Sequence, residues 1–292
     1  MLLALSALIS NIIFSKDRPA FNQQKKPRVV WDEKGVEWRA IIYETDFMNP
    51  VLQEILQSGK VRSHSGEPFD LGLVHVPQRE GEFLQQLIFE ARPKVSLEIG
   101  LAFGISALFI CEAIRSVGGI KHIVIDPFQS DSFKNIGLNN LHNAGFEDLV
   151  EFHESPSCTV LPKLESEGTK IDFAFIDGGH SFEAVFVDIF YTDRILRVGG
   201  ILAVDDTHFP AVLEALRHFL DTGRYSVVGT TTASSADQAP QWKKAIRVFM
   251  RSVCKYCPAF KRILRLEFSD CSVQLAIAPD VRCVALRKER EG

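Results

Sequence analysis

Val95-Ser-Leu-Glu98-Ile-Gly100-Leu-Ala-Phe103-Gly104-Ile-Ser106 is the stretch whose reading decides the fold. Val95–Ile99 reads as a short buried strand, and the apolar run from Ser106 to Ile114 as a helix, so both glycines fall at a strand-to-helix turn. Glycine there lets the backbone turn sharply and approach a ligand closely. The spacing is not the G-x-G-x-x-G of a dinucleotide site, and a tight turn with no ligand fits it too.

Working outward, the same alternation recurs. Upstream, Phe83, Leu84, Leu87, Ile88 and Ala91 repeat at helical spacing until Pro93 stops them. Downstream come a strand at His122–Ile125, a helix at about Asp131–Ala144 and strands at Val150–His153, Ile171–Ile176 and Ile201–Val204. The helix between the last two carries Phe182, Val185, Phe186, Ile189 and Phe190 on one face. A helix at Pro210–Leu220 and strands near Tyr225–Val228 and Cys283–Leu286 complete the series. Strands alternating with helices predict an α/β fold, a parallel sheet covered on both faces.

Three signals carry chemistry. The first is the glycine turn itself. The second is Asp126, at the end of the next strand and 22 residues past Gly104, where a carboxylate can accept hydrogen bonds from ribose hydroxyls. Together they indicate a nucleoside cofactor without saying which. The third is Phe173-Ala-Phe-Ile-Asp177-Gly-Gly-His180 with Ile201-Leu-Ala-Val-Asp205-Asp206, three acids and a histidine at the carboxyl ends of two strands. Ligands of open α/β sheets bind at those ends, and an oxygen-rich cluster suits Mg²⁺ or another divalent cation. The plainer alternative is that one acid caps a helix, as Asp206 could before Pro210.

From about Gly81 to His208 the sequence resembles the class I S-adenosylmethionine-dependent methyltransferases of the small-molecule, catechol and sugar O-methyltransferase type. Leu97–Ser106 is similar to that family's first motif. The resemblance implies a Rossmann-like seven-stranded, mostly parallel sheet with helices on both faces and an antiparallel last strand, for which Val281–Lys288 is the candidate. It implies S-adenosylmethionine as cofactor, with Glu98, Gly100, Phe103, Gly104, Ser106, Asp126, Ser157 and Asp177 as its binding residues. It further implies a divalent cation on Asp177, Asp205 and Asp206, and His180 with Asp177 as the catalytic pair. No lysine stands beside the acids, which argues against a catechol acceptor. The function expected is O-methylation of a small-molecule hydroxyl, a sugar or a phenol. The alternatives are a metal-independent methyltransferase using His180 as base, a nicotinamide-dependent oxidoreductase, or a non-catalytic nucleoside-binding module.

The remainder is peripheral to this core. A net charge of −4 provides no general field that would gather nucleic acid, so none is expected as partner. Residues 1–80 read as an extension beginning with an apolar helix, Met1 to Phe14, too short to span a bilayer, and residues 81–292 as the catalytic domain. Within it, 230–280 reads as an insertion in which eight basic residues and no acidic one lie between Gln241 and Arg265. Such a helix suits a lid over the site or, with the apolar N-terminal helix, peripheral contact with a membrane, and the N-terminal helix also suits a homodimer. Six scattered cysteines suit a cytoplasmic, reduced protein, although Cys254 and Cys257 with Cys271 and Cys283 could hold zinc.

Overall fold

Strand-forming runs apolar on both faces have only one stable home, the middle of a sheet covered on two sides. The computed structural model describes residues 48–72, 75–232 and 281–292, with the backbone of a two-residue strand pair at Val30–Trp31 and Glu37–Trp38. Its sheet strands are β1 (Val95–Ile99), β2 (Lys121–Ile125), β3 (Val150–His153), β4 (Ile171–Ile176), β5 (Leu196–Val204), β6 (Tyr225–Thr232) and β7 (Val281–Lys288). They form one seven-stranded sheet in the order β6-β7-β5-β4-β1-β2-β3. β1 lies between β2 and β4, with Leu97 beside Ile123 and Ala174, all parallel. Only β7 runs against its neighbours, pairing Val284 with Val204 of β5 and with Thr230 of β6. The expected architecture, including the antiparallel last strand, is the one observed.

Side chains along a strand alternate between faces, and here the alternation divides the core in two. Phe173 and Phe175 of β4, Ile201 and Ala203 of β5, and Cys283 and Ala285 of β7 enter one cluster, with α1 (Pro50–Ser58), α2 (Gln78–Ala91) and α3 (Ile105–Ser116). Ala174 and Ile176, Leu202 and Val204, Val284 and Leu286 enter the other, with α5 (Ser157–Ser166), α6 (Phe182–Ile195) and α7 (Pro210–Asp221). α4 (Ile136–Asn143) covers the first face beside α3.

α1 starts where Asn49 accepts a hydrogen bond from Val51 N at 3.0 Å, and Pro50 occupies the first turn, where its missing N–H costs nothing. Asn49 also donates to Ala144 O at 3.1 Å, and its own N–H donates to Glu112 of α3 at 2.7 Å. The start of α1 is therefore held against α3 and the end of α4. The chain divides into compact units 1–46 and 47–292.

α4 begins later than the expected Asp131. Lys134 and Asn135 adopt φ of 51° and 57°, a left-handed pair that no helix accommodates. The end of β7 is pinned by Lys288, fully buried, whose Nζ donates to the carbonyls of Asp193 at 2.7 Å and Leu196 at 2.9 Å. The apolar N-terminal helix, the basic 241–265 segment and Cys254, Cys257 and Cys271 lie outside the described residues. Among those described, no helix is long and apolar enough to cross a membrane.

Candidate active site

The carboxyl ends of β1, β2 and β4 open into a cavity of about 690 Å³, within the usual size of a cofactor or ligand site. Two walls of different construction face each other across it.

The first wall is the glycine turn. Gly100 has φ of 94°, and a Cβ there would lie 2.0 Å from the carbonyl oxygen of Asp177, so no larger residue fits. Asp126 supports this turn. Its Oδ2 accepts from the backbone N–H groups of Leu101 and Ala102, both at 2.9 Å, and from Gln129 Nε2 at 3.1 Å. Its Oδ1 accepts from Phe128 N at 2.7 Å. The carboxylate lines the cavity while already holding four donors, so a ribose here would share its oxygens with the loop.

Gly100, Asp126, Ser157 and Asp177, four of the residues that the resemblance assigns to the cofactor, line the cavity. Glu98, Phe103, Gly104 and Ser106 do not line this cavity, although Phe103 and Ser106 line a small one beside it with Gly100, Ala102 and Asp177. Glu98, fully buried, accepts a short hydrogen bond from Ser106 and sits 2.9 Å from Nε2 of buried His122, whose Nδ1 lies 2.8 Å from Ser96 Oγ. This polar chain fixes the start of α3 beneath the turn. Gly104, φ 79°, heads α3 where a Cβ would meet the Gly137 carbonyl at 3.0 Å, and Phe103 packs edge-on against Phe133 at 5.5 Å.

The second wall holds the acids. Asp177 follows β4, and Asp205 and Asp206 follow β5. Asp206 adopts φ of 54° and lines the cavity, while Asp205, nearly fully buried, turns to the side where α2 packs. Asp206 does not cap α7: Phe209 holds the N-cap position and donates its N–H to the Asp206 carbonyl at 2.9 Å. His180 Nε2 lies 2.9 Å from Asp206 Oδ2 and 3.9 Å from Asp177 Oδ1, with its ring stacked on Phe209 at 5.1 Å. One donor atom from each of Asp177, His180 and Asp206 lies within 4.8 Å of the others.

Asp205 belongs to a different group. Its Oδ1 accepts from Asp206 N at 2.6 Å and faces Arg282 Nε at 3.4 Å, while its Oδ2 is 3.5 Å from another guanidinium nitrogen. Arg282 Nε is also 3.0 Å from Glu80, a residue of α2 with only 2% of its surface exposed. The structure thus brings Asp177 and Asp206 together with His180, and leaves Asp205 behind them against a cation.

The charges follow from these neighbours. Asp177 and Asp206 hold His180 protonated, its pKa pushed up to about 10. Burial and the charge of Asp205 push Asp177 up to about 8, and Glu80 up to about 10. Burial also raises Asp205, whereas the pairing with His180 outweighs burial at Asp206 and lowers it. Burial opposes the charge of Arg282, but Asp205 and Glu80 outweigh it and hold the guanidinium charged.

Glu80 and Arg282 were not legible as site residues. The only available signal was an arginine inside an apolar strand, which has to be paired if the strand is central. Phe128, more than half exposed on the cavity rim, was missed as well.

This strand order, with the glycine turn after β1 and the acids after β4 and β5, is that of the Rossmann-like methyltransferase fold. The profile of a methyltransferase domain family matches residues 97–207. A caffeoyl-CoA O-methyltransferase of Populus kitakamiensis is 30% identical over 134 residues, 45% of this chain and 54% of that protein. A flavonoid 3',5'-methyltransferase of Vitis vinifera is 25% identical over 209 residues, 70% of this chain and 77% of its own. Most of the curated relatives are spanned over about half their length. An O-methyltransferase from Bacillus cereus, solved with S-adenosylhomocysteine, shares the fold with a TM-score of 0.51 at 22% identity, covering 65% of this chain and 89% of that one.

Proposed function

We propose that this chain is an S-adenosylmethionine-dependent methyltransferase that methylates a small-molecule hydroxyl. The observation that carries the reading is one cavity with Asp126 and the glycine turn on one wall and Asp177, His180 and Asp206 on the other. The relatives named for caffeoyl-CoA and flavonoid substrates favour a phenol among the acceptors, with a sugar hydroxyl as the second choice.

S-adenosylmethionine, held by the glycine turn and Asp126, would supply an activated methyl group to the acceptor oxygen and leave as S-adenosylhomocysteine, and the hydroxyl proton would pass to a base. Asp177 suits that role, since a carboxyl pushed up to about 8 is a stronger base than an ordinary one and still ionises near neutral pH. The sequence offered His180 either as general base or as a substrate-binding group. Held protonated between two carboxylates, it is better suited to steady the developing oxyanion.

Metal assistance through Asp177, Asp205 and Asp206 is the finer expectation, and the donors as placed do not fit that trio. Asp205 is committed to Arg282 and the Asp206 N–H, so no step is routed through an ion. Calorimetric titration with S-adenosylmethionine and S-adenosylhomocysteine tests the cofactor reading. Micromolar binding weakened by Asp126→Ala is the expected result, and no binding by folded protein would overturn it.

A further inference from the structure

We propose that Arg282 is a positioning residue that takes the place of a divalent cation, holding Asp205 out of the ligand set. The inference deepens the proposed function and rests on it for the role of the acid wall. Arg282 stands on β7, lines the cavity, and keeps only 14% of its side chain exposed. Its guanidinium lies 3.4 Å from Asp205 and 3.0 Å from Glu80, and one face of Asp205 is further engaged by the Asp206 N–H at 2.6 Å.

A divalent ion touching Asp205 would face this fixed positive charge within a few ångströms. In a poorly solvated site that repulsion is large, and arginine cannot relieve it by losing its proton. The arrangement also meets the need that an ion would otherwise meet. Asp177, Asp205 and Asp206 gather negative charge at one end of the sheet, and Arg282 offsets it from the side of β7.

The test reads metal binding and not turnover. Full-length wild type, Asp205→Asn, Glu80→Gln and the double variant Glu80→Gln/Arg282→Met are titrated with Mn²⁺, following the free ion by electron paramagnetic resonance. Circular dichroism reports folding, and S-adenosylhomocysteine binding is measured on the same samples. Glu80→Gln avoids leaving a second buried carboxyl without its cation once Arg282 is removed.

Wild type and Glu80→Gln are expected to bind Mn²⁺ weakly and alike, Asp205→Asn to change nothing, and the double variant to gain about tenfold or more. A purely structural role for Arg282 would lower stability without creating that gain. Tight Mn²⁺ binding by wild type that Asp205→Asn abolishes would overturn the inference, and that arm needs no change at Arg282. A folded double variant with no gain would overturn it equally. Failure of wild type to bind S-adenosylhomocysteine would overturn the methyltransferase reading alone.

Discussion

The two walls of the cavity satisfy their carboxylates by opposite means. On the glycine-turn wall, Asp126 is met by three backbone N–H groups and one side-chain amide, all within 25 residues of it. On the acid wall, Asp177 and Asp206 are met by His180, and Asp205, besides the Asp206 N–H, by Arg282, 77 residues away. Backbone donors are fixed by the path of the chain and cannot be titrated away. Side-chain partners can be exchanged one at a time, and each exchange resets the protonation of the others. One wall is built to hold a shape, the other to hold a charge balance.

The largest effect expected from breaking this contrast is at Gly100. Gly100→Ala forces a methyl into the Asp177 carbonyl at a positive φ, and should cost about 3 kcal/mol or more in chemical denaturation, with loss of cofactor binding. Asp126→Asn comes next. It keeps the shape but leaves an amide NH₂ among N–H donors, and should weaken S-adenosylhomocysteine binding and lower stability by about 2 kcal/mol. A stability change under 0.5 kcal/mol, roughly the noise for a neutral surface change, would show that the backbone donors on that wall contribute little.

On the acid wall the effects should appear in pH profiles before they appear in folding. The rate of methyl transfer should rise with pH through about 8 as Asp177 ionises, and Asp177→Asn should abolish it. An unchanged profile in Asp177→Glu would support the assignment less than a shifted one, and a retained rate in Asp177→Asn would remove it. The smallest effect concerns stability. Asp177, Glu80 and His180 all bind protons more tightly folded than unfolded, so stability is fullest below their ordinary values and falls as pH rises toward about 8 for Asp177 and about 10 for Glu80 and His180. Glu80→Gln should flatten the loss of stability across pH 7 to 10, read as a smaller fall in melting temperature. His180→Gln should change it less, because a half-exposed imidazole is screened by solvent.

The fold was legible because its signals are periodic. Ile171–Ile176 is apolar on both faces apart from Asp172, and Val95, Leu97 and Ile99 make one apolar face of their strand, so the order of strands and helices then admits few topologies. The residues at the strand ends were legible for the same reason, since Gly100, Asp126, Asp177 and Asp206 each follow a readable strand. What sequence could not give is direction. Asp205 and Asp206 are adjacent and chemically identical, and only the turn after β5, with its left-handed residue, sends one to the cavity and the other toward α2. Glu98 and Ser106 were placed with the correct motif, but their mutual hydrogen bond draws them beneath the surface on which the cavity opens. Arg282 lay out of reach of local reading because it meets its partners only when β7 slots between β5 and β6.

The seat of Gly100 against the Asp177 carbonyl joins the two walls mechanically. With no atom between them to compress, the turn that would grip a cofactor and the residue that would receive a proton share one hard contact, and packed interiors transmit strain instead of absorbing it. A shift of the turn therefore moves the proton acceptor with it, so that the arrival of one ligand sets the fit for the next.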